Sequence, residues 1–253
     1  MQKKICVIYL VHGSGLEDFL ENSLMSLRQS GYSLDVIVYA TPDAIQPGAA
    51  LAERYHAQVL RFNRDEIQSA AGYFPYGTHE FNSISLKKFG FIIQTLRAGY
   101  ECVVYSDVDI AYAADFSPYL SNVLKTYSCG IQSESQSKFP PTYCAGFMFF
   151  TAGALGLLEE LREKSHNFAD IGNDQDLLNL EISQRNDVAK EILLLPEGLF
   201  QNGLYFQTYQ THDFSAMRGK LQPFLFHANF VVGLEAKRKL LELTGHWHLR
   251  SDL

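Results

Sequence analysis

The sequence is short of positive charge. It carries 21 Lys and Arg against 28 Asp and Glu, a formal net charge of −7. A protein that tracks nucleic-acid phosphates needs a cationic surface, so no nucleic-acid partner is expected. Any phosphate must be met locally, by a placed lysine or a bound cation. Long hydrophobic runs are also lacking. The N-terminal run, Ile5–Val11, is too short to span a bilayer and short for a signal-peptide core. Gly13, Ser14 and Gly15 follow it, as after a strand. The expectation is a soluble, cytoplasmic chain without a transmembrane segment, at most peripheral to a membrane. Cysteine is scarce: Cys6, Cys102, Cys129 and Cys144, with no CxxC pair. Reduced, buried thiols are expected, since a Cys129–Cys144 bridge would need an oxidising compartment.

What is present is an ordinary globular composition. Of 253 residues, 47 % are hydrophobic and 19 % charged, enough for a sizeable core. No repeat, low-complexity tract or linker divides the chain. The first half alternates two periods. Ile5–Val11, residues 34–40 and residues 59–62 read as strands; Leu16, Leu20, Leu24 and Leu27 fall at helical spacing, and residues 49–56 form a short helix. Such alternation predicts a parallel sheet with helices on its faces. Residues 63–83 have no period and read as a long loop. Leu86, Phe89, Ile93 and Leu96 then mark a helix, followed by an apolar strand from Cys102 that runs into Asp107 and Asp109. The second half predicts helices over 116–124, 155–161 and 234–243 and one starting after Asn173. It predicts strands over 144–150 and Ile192–Leu195, an aperiodic aromatic stretch over 201–221, and an apolar lead from Phe224 into His227. One domain is expected, with a nucleotide-binding half up to about residue 110.

Asp107 and Asp109 are the first candidates for chemistry. Ligands of open α/β sheets bind at carboxyl ends of strands. Two carboxylates two residues apart there suit a hard divalent cation shared with phosphate oxygens. A solvated turn is the plain alternative. Asn173-Asp174-Gln175-Asp176 has a strong structural reading, because Asn caps helices and acids favour the first turn. The same helix N-terminus also suits an anion or a sugar. His227 at a strand end is a core residue or a nitrogen ligand to a carboxylate-bound metal. Helical phase sorts the lysines. Lys88 lies on the flank of its helix beside Ile92, and Lys237 falls within the apolar stripe of Leu234, Leu240 and Leu241, where a lysine either snorkels or has a partner.

In order along the chain, five segments resemble the nucleotide-diphospho-sugar transferases of the GT-A type. They are Lys88 through Tyr100, Val104-Tyr105-Ser106-Asp107-Val108-Asp109, Ala145-Gly146-Phe147-Met148, Asn173 through Asp176, and His227-Ala228-Asn229 with Gly233 and Lys237. The branch most resembled is the one that includes the retaining plant xylosyltransferases of pectin, glycosyltransferase family 77; the glycogenin-like family 8 is more distant. The resemblance implies an α/β GT-A fold, with a Rossmann-like mixed sheet, helices on both faces and the DxD at a strand end. It implies one domain over residues 1–253, whose part after about residue 110 completes the metal and acceptor sites. It implies a UDP-sugar donor, Mn²⁺ or Mg²⁺, a glycan or other hydroxyl acceptor, and retention of configuration.

Residue by residue, the resemblance makes Asp109 and His227 metal ligands, with Asp107 bridging metal and ribose. Val11, His12, Lys88, Val108, Ala145 and Gly146 would surround the donor. Lys237 and backbone N–H groups near Gly233 would neutralise the diphosphate. Asp174, Gln175 and Asp176 would face the reacting sugar, with Gln175 and Asp176 the candidates for a nucleophile or for support of a front-face departure. The chain departs from the family pattern after the DxD, where residues 110–115 lack the usual aromatic residue and basic-proline pair. Tyr73, Phe74, Tyr76, Tyr205, Phe206 and Tyr209, in aperiodic stretches, are expected at the acceptor. Two rivals stand. A haloacid-dehalogenase-type phosphatase also puts DxD after a strand, but it expects Thr or Val where Ala111 stands. A silent sugar-nucleotide or glycan-binding module would not need Asp107, Asp109 and His227 all intact.

Overall fold

A computed structural model describes residues 4–62, 74–135, 141–185, 192–205 and 222–249. The first part runs β1 (Ile5–Val11), α1 (Glu17–Gln29), β2 (Asp35–Ala40), α2 (Ile45–Arg54), β3 (Gln58–Arg61), α3 (His79–Ser85), α4 (Lys88–Arg97) and β4 (Cys102–Ser106). It continues with β5 (Ile110–Tyr112), α5 (Ser117–Val123), β6 (Cys129–Ser135), β7 (Thr142–Thr151), a 3₁₀ turn, α6 (Leu155–Ser165), α7 (Asp174–Ser183), β8 (Ile192–Leu195), β9 (Phe200–Asn202), β10 (Leu225–His227) and α8 (Leu234–Thr244).

Seven strands form one sheet in the order β3-β2-β1-β4-β7-β6-β8. The first four are parallel, as the alternating periods predict; β7 is antiparallel to both β4 and β6. The sheet is therefore mixed, with helices on both faces. Its strands are apolar on both sides because both faces are covered. On one face, Val7 and Tyr9 of β1 and Val104 of β4 meet the stripe Leu20, Leu24 and Leu27 of α1. On the other, Ile8, Val103 and Tyr105 meet Phe89, Ile93 and Leu96 of α4, with Leu158 and Leu178 from α6 and α7. All four cysteines are buried. No helix among the described residues is long and apolar enough to cross a membrane.

Four elements differ from the sequence expectation, α3, β5, β6 and β9, of which β5 and β9 are three-residue strands too short to show a period. Residues 79–83, read as loop, belong to α3 (His79–Ser85), with the Thr78 hydroxyl accepting the Phe81 N–H as an N-cap. Seven residues are too few to show a helical period. β6 was not foreseen because its second half is polar. Gln132, Ser133 and Ser135 are nevertheless buried there, beside the site described below. Residues 63–73 and 206–221, with Tyr73, Phe206 and Tyr209, lie outside the described residues.

Two features place the functional groups. β1 and β4 are parallel neighbours where the strand order reverses, so the residues after Val11 and after Ser106 emerge at one carboxyl edge. A small sheet, β5-β10-β9, then brings His227 opposite Ile110. The Ala228 N–H donates to the Asp109 carbonyl at 3.0 Å.

After Gly245, in left-handed conformation at φ +75°, the chain folds back onto α1. The buried Asn22 side chain donates to the His246 carbonyl at 3.1 Å and accepts the His248 N–H at 2.7 Å. Trp247 packs edge-on against Phe19, and the His246 ring stacks on Phe226 at 5.1 Å. Burial, with His248 adding to it, pushes the His246 imidazole down from 6.5 to about 4. The unfolded chain therefore binds a proton at His246 that the folded chain refuses between these values, so stability rises with pH across that window. Replacement by Phe keeps the stack on Phe226. We expect His246→Phe to flatten the decline in stability from about pH 6.5 to about pH 4 by on the order of 2 kcal/mol. Chemical denaturation at several pH values measures this; an unchanged slope would clear His246 of responsibility.

Candidate active site

A cavity of about 410 Å³ opens at the shared edge of β1 and β4. Its polar floor holds Asp107, Asp109 and His227, and Lys237 and Lys88 stand at its sides. Its size is that of a small-molecule site.

One oxygen of each carboxylate and one ring nitrogen of His227 lie within 4.8 Å of one another. His227 Nε2 is 3.4 Å from Asp109 Oδ1 and 3.9 Å from Asp107 Oδ2. The remaining oxygens are engaged elsewhere. Asp109 Oδ2 accepts from the Lys237 ammonium. Asp107 Oδ1 accepts the Tyr105 hydroxyl at 2.8 Å and lies 3.7 Å from Lys88 Nζ. Two carboxylate oxygens and an imidazole nitrogen thus face one point, which is the donor set of a divalent cation such as Mn²⁺ or Mg²⁺. The backbone leaves room for it. A Cβ on Gly146 would lie 2.2 Å from His227 Cε1 and 2.8 Å from Asp107 Oδ2. The residues therefore fit a bound metal.

The two aspartates are pushed apart. Burial raises the Asp107 carboxyl above the usual range and the Asp109 charge adds to this, against the pull of Lys88. Burial acts on Asp109 as well, but Lys237 and His227 outweigh it and hold that carboxyl below the usual range. Counting Glu134 and Asp174, four carboxylates line the cavity against two lysines. The excess of two negative charges, 4 minus 2, equals what one divalent ion supplies.

The break in the β6–β7 ladder explains the rest of the wall. Ile131 opposes Met148 but Gln132 opposes Cys144, so residues 145–147 stand outside that ladder. Bulges of this kind re-aim groups near active sites. Here they free the backbone of Ala145 and Gly146. The Ala145 carbonyl accepts from Lys88 Nζ at 3.1 Å, and its N–H donates to Gln175 Oε1 at 3.2 Å. The Gly146 carbonyl accepts the Asp107 N–H at 2.8 Å. Lys88 is buried and pairs with Asp174 at 2.5 Å, 4.1 Å over the Tyr105 ring. Burial lowers its pKa, but Asp107 and Asp174 prevail and raise it, so it stays a cation.

Of the residues selected from sequence, His12, Lys88, Asp107, Val108, Asp109, Ala145, Gly146, Asp174, Gln175, His227, Gly233 and Lys237 all line the cavity. Two stand apart. The Val11 side chain is buried in the core on the α1 side of the sheet. Asp176 is exposed, and its Oδ2 accepts the Asn173 N–H at 3.0 Å in a capping box. Phe74 lines the cavity but is buried, stacked on His12 at 5.6 Å. The sequence reading missed Tyr105, Glu134, Cys144, Asn229 and Gln132. Tyr105, Cys144 and Asn229 lie on or beside the segments already picked out, whereas Glu134 and Gln132, both on β6, carry no local signal.

A second constellation imitates a hydrolytic relay. His79 Nδ1 lies 2.8 Å from Asp170 and Nε2 lies 3.2 Å from Ser83 Oγ. His79 and Asp170 are 56 % and 87 % exposed, so water competes for each bond. It is a solvated surface cluster on α3.

The close fit at Gly146 gives a direct test. Gly146→Ala should abolish Mn²⁺ binding, read by electron paramagnetic resonance, with the circular dichroism of the folded chain retained. Wild-type Mn²⁺ affinity in that variant would show that the ion does not sit between Asp107 and His227.

The sequence profile of nucleotide-diphospho-sugar transferases matches residues 46–241. A search of curated protein sequences returns no match. Among solved structures, the galactosyltransferase LgtC in complex with donor and acceptor sugar analogs is 12 % identical, with a TM-score of 0.60 over 98 % of both chains. Mouse xyloside xylosyltransferase 1 is 13 % identical, with a TM-score of 0.57 over 92 % of this chain and all of that one. The glycosyltransferase GlyE of Streptococcus pneumoniae TIGR4 is 14 % identical, with a TM-score of 0.61 over 98 % of this chain and 61 % of its own. At these identities the likeness establishes a shared GT-A architecture, with Asp107 and Asp109 at the strand end. With the profile matching most of this chain and this fold around the site, the chain belongs to the nucleotide-diphospho-sugar transferase family.

Proposed function

We propose that the protein is a metal-dependent glycosyltransferase that moves a sugar from a UDP-sugar to a hydroxyl of a glycan or glycoconjugate, with retention of configuration. The observation that carries this reading is the convergence of Asp107, Asp109 and His227 over Gly146, with Lys237 alongside. A silent binding module has no need of it, and a haloacid-dehalogenase-type phosphatase expects Thr or Val where Ala111 stands.

Asp109 Oδ1, Asp107 Oδ2 and His227 Nε2 would hold Mn²⁺ or Mg²⁺. When bound, the ion supplies charge neutralisation and Lewis acidity at the departing diphosphate. Lys237 adds a cation on the same side, and the N-terminus of α8 adds backbone N–H groups after Gly233. Gly233 sits at φ +91°, which favours glycine. Residues up to about 110 would then hold the nucleotide sugar, and the remainder would complete the metal and acceptor sites.

Asp174, Gln175 and Lys88 form the wall for the reacting sugar. Asp174 is tied to Lys88 and Asp176 to the Asn173 N–H, so neither carboxylate is presented as a nucleophile. This favours a front-face route. The bond from the anomeric carbon to the phosphate oxygen breaks, the acceptor oxygen bonds to that carbon from the same face, and the acceptor proton passes to the leaving diphosphate. At the mouth stand Tyr76, 60 % exposed and accepting from Asn173 Nδ2 at 3.1 Å, and Phe230, strained at φ +61°. We assign the acceptor to this side.

Calorimetric titration of UDP should give binding with Mn²⁺ present, and none with EDTA or in Asp109→Ala. Binding indifferent to the metal would leave a nucleotide site but overturn the metal roles, and absence of binding in every condition would overturn the donor assignment. Tyr76→Ala should raise the acceptor KM severalfold while sparing UDP affinity, as expected for loss of one aromatic contact to a sugar. An unchanged KM would remove Tyr76 from the acceptor site.

A further inference from the structure

Gln132 is fully buried on β6, at the break in the ladder with β7. Its Oε1 lies 2.9 Å from His227 Nδ1. Its Nε2 donates to the carbonyls of Phe200 and Gln201 on β9, both at 3.1 Å. These two carbonyls decide how the amide is turned. A flipped amide would set Oε1 against two carbonyl oxygens and lose both donors. With Oε1 held towards the ring, Nδ1 must be the nitrogen that carries hydrogen. In the neutral imidazole the lone pair is then on Nε2, the atom facing Asp107 and Asp109.

We propose that Gln132 is a positioning residue that fixes the His227 tautomer and ring orientation for divalent-cation binding. The inference rests on the reading of Asp107, Asp109 and His227 as the cation site. It identifies a group outside the cavity that prepares the ligand. The orientation is anchored from a second side. Asn202, the β9 residue paired with His227, donates from Nδ2 to the Ser133 carbonyl at 2.7 Å. Two amide side chains thus fasten β9, the strand paired with β10, to β6. Cys144 Sγ, 3.7 Å from Nδ1, is a weak partner in comparison. Groups that hold the outer nitrogen of a metal-binding histidine change metal affinity by roughly tenfold to a hundredfold when removed.

Two variants separate this role from a structural one. Gln132→Met and Gln132→Glu both lose the donors to Phe200 and Gln201, but only Glu keeps an acceptor at Nδ1. The readout is Mn²⁺ affinity of the folded protein by electron paramagnetic resonance, with Asp109→Asn as control. Gln132→Met should weaken Mn²⁺ by roughly tenfold or more, and Gln132→Glu should stay within about threefold of the wild type. Wild-type affinity in Gln132→Met, or equal loss in both variants, overturns the proposal while loss in Asp109→Asn keeps the cation site. Retained affinity in Asp109→Asn overturns both. Should Gln132→Met not fold, ¹⁵N NMR of the metal-free wild type decides. A neutral His227 protonated on Nδ1 supports the proposal, and one protonated on Nε2 overturns it.

Discussion

Holding like charges together away from water is the constraint around which this structure is arranged. Asp107, Asp109 and Asp174 converge at the edge of an apolar sheet, where desolvation penalises each anion and their repulsion adds to it. Every neighbouring element answers that problem. α4 sends in Lys88 between Asp107 and Asp174. α8 sends in Lys237 against Asp109. β10 brings the imidazole of His227, and β7 breaks its ladder so that a glycine without a Cβ forms the wall beside it. The protein's own cations leave a deficit in the cavity. In an acidic protein the overall field repels anions, so a cation placed in that deficit would concentrate any attraction for a phosphate at one point.

How much of this can be read in the sequence depends on the range of the cause. The parallel half of the sheet is legible because burial on both faces of β1, β2 and β4 writes continuous apolar runs. Lys88 and Lys237 are legible because helical phase places them on a flank and in an apolar stripe. His227 and the two aspartates are legible because strand ends are where α/β sheets bind ligands. Asp174 and Asp176 cannot be ranked in that way as catalytic groups. Both occupy the first turn of α7, yet the third helical residue turns back to cap the backbone of Asn173 while the first reaches Lys88. The capping pattern is visible in the sequence, where it accounts for Asn173 and one of the two acids without telling which.

What the sequence hides is long-range pairing. β6 ends in Gln132, Ser133, Glu134 and Ser135, a composition that reads as surface loop. It is a strand because β7 and β8 pair with it on either side. Gln132 and Ser133 are buried and Glu134 half-buried because they face other polar groups: Gln132 meets His227, Ser133 meets Glu197, and Glu134 meets Asn229. No local period signals a residue whose partners lie 69 or 95 positions away. The same holds for Phe74. It sits in an aperiodic stretch that suggests an exposed aromatic, but the structure stacks it on His12.

The site is also the place where distant parts of the chain are tied together. Asp109 and Lys237 are 128 residues apart, and α8 is held to α1 by the turn after Gly245, by Asn22 and by Trp247 on Phe19. Phe19 and Leu234 line the cavity, so the contact that docks the C-terminal segment is continuous with the wall of the site. Fraying of α8 would therefore withdraw Lys237 and leave the buried Asp109 without that cation. Because a buried carboxylate left without its partner is unfavourable, the electrostatics of the site and the docking of the last helix reinforce each other. The acidic centre, which strains the fold locally, also gives the C-terminal helix a reason to stay.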